Sequence, residues 1–282
     1  MKKIDAHQHF WKFNPQRDKW ITEDMAAIRR DFMPKELHAL LVEEGFDGSV
    51  VIQSSQSEDE NIFQLKNAEQ NDFIKGVVGW IDFQNKNVQS RLEYYKQFEK
   101  MKGFRHIFPE ELQRDFMLNS DFRRGIRYLN NYGFTYDILI FPDQLLYTNE
   151  FVASFPDQKF IIDHIAKPYI KDGKIKTWKK DLEAVARYEN VYCKISGMVT
   201  EANWRNWEIN DFFPYLDVVL EVFGIDRVMY GSDWPVCLVA ASYKAQLSII
   251  MKYISNLSKS EQEAILGQNA INFYQLSVKS ED

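Results

Sequence analysis

The amino-acid sequence predicts an α/β protein folded as a (β/α)8 barrel. Short β-rich runs alternate with helical patterns, eight such runs follow one another, and polar residues end most of them. Strand–helix alternation is typical of a parallel sheet, and eight units in about 250 residues is the size of a (β/α)8 barrel. An open doubly wound sheet is the alternative, but it usually has a glycine-rich phosphate loop after its first strand, where this chain has "HQHFW".

The predicted strands are short and rich in β-branched and aromatic residues. In chain order they cover residues 3–10, 49–54, 74–82, 103–108, 135–141, 159–164, 191–196 and 227–233. Helical patterns between them cover residues 34–45, 87–101, 120–133, 211–224 and 242–257. Pro34 near a first turn, Ser120 as a cap and Gly45 and Gly133 as stops are typical helix boundaries.

Composition excludes several classes of protein. The 282 residues carry a net charge of −6 with scattered basic residues, which argues against a nucleic-acid or anionic-membrane partner. No apolar run is long enough to cross a bilayer, and the two cysteines suit reduced thiols in a cytoplasmic protein. We expect one domain over residues 1–282 and a small-molecule partner, and the sequence leaves both a monomer and a homo-oligomer open.

Two histidines, His7 and His9, stand two residues apart at the end of the first predicted strand. Residues two apart on a strand share a face, so both imidazoles can point into the mouth of the barrel. Such a pair suits a divalent metal such as zinc, or two hydrogen-bond donors for one oxygen. Asp5 has the same parity and is a candidate partner below them.

The other strand ends add polar residues, and in such barrels the active site is built at these ends. They are Gln53, Asp82, Arg105 with His106, His164 and Asp233. Arg105 and His106 are neighbours on a strand and must point in opposite directions, so His106 is as readily a structural hydrogen-bonding residue. His38 lies in a helical pattern and is interpreted as an ordinary helix residue.

Five stretches resemble the amidohydrolase superfamily, in its amidohydrolase-related branch that contains L-fuconolactonase and L-rhamnonolactonase. They are "IDAHQHFW", "GFRHIF", "FIIDHIAKP", "VYCKISGMVTEANW" and "DRVMYGSDWPV". The resemblance implies a distorted (β/α)8 barrel that hydrolyses a cyclic ester. It implies Asp233 as the base that activates water, with His7, His9 and His164 around the scissile carbonyl.

The resemblance also implies residues near substrate and a possible metal. Arg105 and Lys167 fall where relatives place positive groups, and Glu201 lies in a loop that faces the site. Metal-rich relatives carry a bridging lysine and a further strand-end histidine, and "TYDILIF" offers neither, which argues against two metals. Three imidazoles and Asp233 would match one zinc ion, and catalysis without a metal is the alternative left open.

Tryptophans follow several predicted strands, and indole faces pack well on sugar rings. Trp234 is the one placed in the site, because it follows Asp233 directly; the others can equally pack on the rim. The leading functional prediction is opening of a sugar-acid lactone. The alternatives are a hydrolase of a carboxylated lactone from aromatic catabolism, a metal-dependent decarboxylase, and a non-catalytic sugar-binding barrel.

Overall fold

A computed structural model describes residues 2–108 and 111–278, in which eight parallel strands form one sheet in chain order. The strands are β1 (Ile4–Gln8), β2 (Gly48–Ile52), β3 (Ile74–Gly79), β4 (Met101–Ile107), β5 (Thr135–Leu139), β6 (Phe160–Ile162), β7 (Val191–Ile195) and β8 (Val228–Tyr230). The predicted fold class and all eight predicted strands are confirmed. Residues 1, 109–110 and 279–282 of the predicted domain lie outside the described residues.

Helices surround the sheet and connect its strands. They are α1 (Pro34–Glu43), α2 (Glu58–Gln70), α3 (Val88–Lys96), α4 (Ser120–Ile126), α5 (Leu145–Ala153), α6 (Lys176–Ala186), α7 (Met198–Glu201), α8 (Phe213–Phe223), α9 (Tyr243–Ile254), α10 (Lys259–Glu263) and α11 (Asn269–Tyr274). None of the helices in the described ranges has the length and apolar character that a bilayer crossing needs.

The barrel closes between its first and last strands at their carboxyl ends. The His9 amide donates to the Trp234 carbonyl at 2.7 Å, and the Asp233 amide donates to the His7 carbonyl at 2.8 Å. These two bonds flank the parallel bridge between Gln8 and Trp234. The closure therefore holds the histidine strand and the Asp233 loop side by side.

Helix α11 closes the other end of the barrel. Its Phe273 and Tyr274 are buried against strand residues that point inward at the base, such as Ile4, Val50 and Met229. Apolar packing fills this base, whereas the carboxyl end is left for polar side chains. The site is thus built at one end of the strands, and the apolar layer fills the opposite end of the barrel.

One helix prediction needs correction, and helix α2 was not predicted from the sequence. The cap of α4 is Asn119 rather than Ser120, because the Asn119 side chain accepts bonds from the amides of Asp121 and Phe122. Helix α2 has no apolar stripe, and its buried face carries polar side chains. The Glu60 carboxylate accepts a hydrogen bond from Ser54 Oγ at 2.9 Å. This bond stabilises the carboxylate in a buried position, where an unpaired polar group would be unfavourable.

Candidate active site

A cavity of about 360 Å³ opens at the carboxyl ends of the strands, within the range usual for small-molecule sites. Its wall mixes apolar side chains with a few polar ones. The lining residues are His9, Trp20, Met25, Ser54, Arg105, Ile107, Leu139, Phe141, His164, Lys167, Thr200, Glu201, Trp204, Asp233 and Val236. His7 is fully buried and lies below the floor of this cavity.

Three histidines, His7, His9 and His164, have their Nδ1 atoms next to oxygens of the surrounding protein. The contacts join His9 Nδ1 to the Ile52 carbonyl at 2.8 Å, His164 Nδ1 to Ser196 Oγ at 2.8 Å, and His7 Nδ1 to Asp163 Oδ1 at 3.3 Å. An acceptor at Nδ1 holds the proton there and leaves Nε2 with a free lone pair. Such orienting contacts are typical of metal-ligating histidines.

The Nε2 atoms of these histidines converge on Asp233. Asp233 Oδ1 lies 3.3 Å from His9 Nε2 and 3.8 Å from both His7 Nε2 and His164 Nε2. The Nε2 atoms of His7 and His9 are 3.2 Å apart. Ligands about 2.0–2.1 Å from a tetrahedral zinc ion stand about 3.3 Å from one another. The buried group His7, His164 and Asp233, with His9 beside it, therefore fits one metal ion by donor type and spacing.

The backbone around these groups is strained. His164, Ile165, Ala166 and Lys167 all have positive φ, between 48° and 59°, and Asp233 has φ 55°. Left-handed backbone costs an ordinary residue about 1–2 kcal/mol, and a β-branched residue such as Ile165 adopts it rarely. Strain of this kind gathers at functional sites. Here it presents His164, Lys167 and Asp233 to one cavity.

Burial and neighbouring charges set the protonation of the site. Burial lowers the pKa of His164 well below its ordinary value, more than Asp233 raises it. Burial raises the pKa of Asp233, but His164 and His9 lower it further, so it stays below its usual value. The His164 imidazole is thus neutral at neutral pH, as a metal ligand requires. The Asp233 carboxylate is ionised, as a base or a metal ligand requires.

Comparison with known proteins agrees with this geometry. Residues 4–276 match the family described as Amidohydrolase (Amidohydro_2). The chain belongs to the amidohydrolase family.

Proteins similar to this amidohydrolase include two from Burkholderia. An L-fucono-1,5-lactonase from Burkholderia multivorans is 35% identical, covering 97% of this chain and 96% of that protein. One from Burkholderia ambifaria is 30% identical, covering 99% and 98%. A crystal structure of an amidohydrolase from Burkholderia multivorans with bound zinc matches with a TM-score of 0.95 and 34% identity, covering 98% of this chain and 100% of that chain.

Arg105 and Lys167, the cations predicted near substrate, line the cavity of this amidohydrolase. Arg105 Nη1 lies 3.0 Å from Asp163 Oδ2, and the Lys167 ammonium pairs with the Glu201 carboxylate. Gln53 does not line the cavity. Its side-chain oxygen accepts a hydrogen bond from Arg105 Nη2 at 3.1 Å, so Gln53 orients the arginine side chain.

Trp234 and Asp5 are not brought to the cavity. The positive φ of Asp233 turns the chain, so the Trp234 ring packs between Phe10 and Phe32 and is only 2% exposed. Asp5 accepts a bond from the Tyr243 hydroxyl of α9 instead of facing the histidine rings. The pairing register shifts between Asp5 and Gln8, and this bulge breaks the parity on which the prediction depended.

Sequence reasoning missed Asp137, Asp163 and Lys194, which form a buried charged cluster under His7. The signal lay in the strands: three charged residues interrupt otherwise apolar runs at "TYDILIF", "FIIDH" and "VYCKIS". Charged side chains are almost never fully buried unless they are paired. Charged residues of opposite sign on β5 to β7 are therefore expected to pair inside the barrel.

His106 is the strand-end histidine that turns away from the cavity, as its position next to Arg105 predicts. Its ring stacks on Phe116 at 5.0 Å, Nε2 donates to Glu111 at 2.7 Å, and Nδ1 accepts from Trp80 at 3.4 Å. Burial lowers the pKa of His106, against the smaller opposite effect of Glu111. The imidazole is therefore neutral and structural.

We expect His106→Gln to flatten the pH dependence of stability. The folded pKa lies below the unfolded value, so the stability that His106 contributes is present above about pH 6.5 and is lost as pH falls. One proton changes the free energy of unfolding by at most about 1.4 kcal/mol per pH unit. Urea unfolding at about pH 7.5 and about pH 5.5 measures the free energy of unfolding of the unmodified protein and of His106→Gln. An equal fall in that free energy at the lower pH in both proteins would contradict this assignment.

Proposed function

We propose that the protein is a lactonase that opens a neutral sugar-acid lactone with water activated by Asp233. The observation that carries the proposal is the ionised Asp233 carboxylate in the cavity wall, ringed by three imidazoles. The two similar L-fucono-1,5-lactonases support the same chemistry. A binding barrel without catalysis would need no such base.

Asp233 can carry out both proton transfers that lactone opening requires. The Asp233 carboxylate takes a proton from water as that water attacks the lactone carbonyl. The carboxylic acid so formed returns the proton to the ring oxygen when the C–O bond breaks. A positioned acid–base group of this kind contributes about 10²–10⁴-fold to the rate.

We propose that His7, His9, His164 and Asp233 hold one zinc ion. The donor set of nitrogen and carboxylate atoms suits zinc, and the similar structure from Burkholderia multivorans contains zinc. When bound there, zinc would polarise the carbonyl and lower the pKa of water. The protein holds the three Nε2 atoms toward one point before any ligand arrives.

Charge balance selects the class of lactone. Among the described residues of the cavity wall, both cations, Arg105 and Lys167, already face carboxylates. A substrate with several carboxylates would find no uncompensated positive charge and would lose hydration without replacement. The apolar wall of Ile107, Leu139 and Phe141 also suits an uncharged ring. This argues for a neutral aldonolactone over a carboxylated lactone or an aromatic acid.

A panel of lactones tests the substrate class. Neutral aldono-1,5-lactones, including L-fucono-1,5-lactone, should be opened with kcat/KM at least about 100-fold above a dicarboxylated pyrone lactone. Glu201→Gln releases Lys167 and should narrow that ratio, whereas Arg127→Gln, on a surface away from the cavity, should leave it unchanged. Proton release into a weakly buffered pH-indicator solution measures kcat/KM for each protein with each lactone. Preference for the dicarboxylate in the unmodified protein would overturn the neutral assignment.

A further inference from the structure

A cluster of four charged side chains lies under the active site, spread over strands β4, β5 and β7 and the turn after β6. Asp137, Asp163 and Lys194 are fully buried, and Arg105 is 3% exposed. Lys194 Nζ lies 2.5 Å from Asp137 Oδ2 and 2.9 Å from Asp163 Oδ1. Two carboxylates thus balance one ammonium and one guanidinium, which is how a barrel interior accommodates buried charge.

The cluster touches one active-site histidine. His7 Nδ1 lies 3.3 Å from Asp163 Oδ1 and 3.3 Å from Lys194 Nζ. A lysine ammonium can only donate, and its donation would move the imidazole proton to Nε2, where it blocks a metal. A carboxylate can only accept, and would keep the proton on Nδ1. The two neighbours therefore favour opposite tautomers of His7.

Two features favour Asp163 as the partner of His7. Asp163 Oδ1 is buried and lies 2.9 Å from the Lys194 ammonium, but it receives no well-aligned hydrogen bond from the described residues, so it keeps a lone pair for the Nδ1 proton. Lys194 is held on its other side by Asp137, and Asp137 Oδ2 also accepts a bond from the Tyr274 hydroxyl at 2.8 Å. Tyr274 is the last residue of α11, the helix that closes the base of the barrel.

We propose that Asp163, held by Lys194, Asp137 and Tyr274, is a positioning group that fixes the proton of His7 on Nδ1 and so presents Nε2 to the metal centre. Helix α11 is thereby connected to the active site by the hydrogen bond from Tyr274 to Asp137 and the ion pairs above it. The inference rests on the proposed metal site of this chain. It assigns a role to four residues, none of which lines the cavity.

Zinc affinity of the metal-free protein is the test, because it does not depend on lactone hydrolysis. Asp163→Asn should weaken zinc binding by about 10–100-fold, the usual cost of losing a group that orients a metal-bound histidine. Tyr274→Phe should weaken it less, in the same direction. Tyr136→Phe is the matched control, since Tyr136 is equally buried on β5 and its hydroxyl makes no hydrogen bond to the cluster. Competition with a chelating indicator measures the zinc affinity of the unmodified protein and the three variants.

A double variant separates positioning from charge balance. Asp163→Asn with Lys194→Met removes one charge of each sign, so it should fold even where Asp163→Asn alone does not, yet still bind zinc weakly. Nitrogen-15 spectra of labelled histidine, with five histidines in the chain, report the tautomer of His7. Zinc affinity within about twofold of the unmodified protein in the double variant, or equal affinity of the Tyr274 and Tyr136 variants, would overturn the proposal. A protein without lactonase activity that shows these zinc losses would overturn the proposed function alone.

Discussion

Asp233→Asn should lower kcat for lactone opening by about 10³-fold or more while the protein still folds and binds the lactone. The amide keeps the shape of the side chain, but it cannot take a proton from water or return one to the ring oxygen. Its NH2 group can donate a hydrogen bond to His9 Nε2, which lies 3.3 Å from Asp233 Oδ1. Initial rates from proton release, with lactone affinity from calorimetry, give the two quantities separately.

Two controls sharpen this prediction. Ser54→Ala changes a polar side chain in the same cavity wall that has no place in the proton transfers, and its kcat should stay within about tenfold of the unmodified protein. Zinc content should be measured for both variants, because Asp233 is also assigned to the metal. An Asp233→Asn protein that retains zinc and opens lactone at an unchanged rate would contradict the assignment of Asp233 as the base.

Gly197→Ala should lower kcat/KM by about 100-fold, because the new methyl group would strike His164. A Cβ at this position would lie 2.5 Å from His164 Nδ1, the atom that bonds Ser196 Oγ at 2.8 Å. The ring must turn or shift, and its Nε2 would leave the point where the three imidazoles meet. Displacements of about 1 Å near reacting groups cost about this factor.

Gly173→Ala is the matched control for this experiment. Gly173 has φ 63° and Gly197 has φ 60°, so both substitutions impose similar backbone strain of about 1 kcal/mol. Nothing lies within 4 Å of a Cβ at Gly173. Thermal unfolding should therefore show the shared backbone cost in both variants and a further loss at Gly197 from the clash with His164, whereas activity should be lost only at Gly197. Equal activity of the two would mean that the position of His164 is unimportant for catalysis.

The strand ends could be predicted from the sequence, and with them the principal site residues. His7, His9, His164 and Asp233 each lie near the end of a short β-rich run, and the order of elements in a barrel brings such ends together. The opposite directions of Arg105 and His106 followed from strand parity alone. These predictions needed only the local pattern and the fold class.

Other features depended on contacts between distant segments. The bulge in β1 moved Asp5 to the Tyr243 side, and the left-handed turn at Asp233 moved Trp234 into the core. Neither a bulge nor a positive φ at aspartate has a reliable sequence signal. Pairing of Lys194 with Asp137 joins residues 57 positions apart, and only the closed barrel brings them together.

Single-turnover opening of a neutral aldonolactone in ¹⁸O water, with the protein in excess, tests the central claim most directly. The account predicts rapid opening, with one ¹⁸O atom in the carboxylate of the first product, because water itself attacks the carbonyl beside Asp233. Direct attack by the Asp233 carboxylate would instead place an unlabelled protein oxygen in that product. That result, or opening no faster than in buffer, would contradict the account.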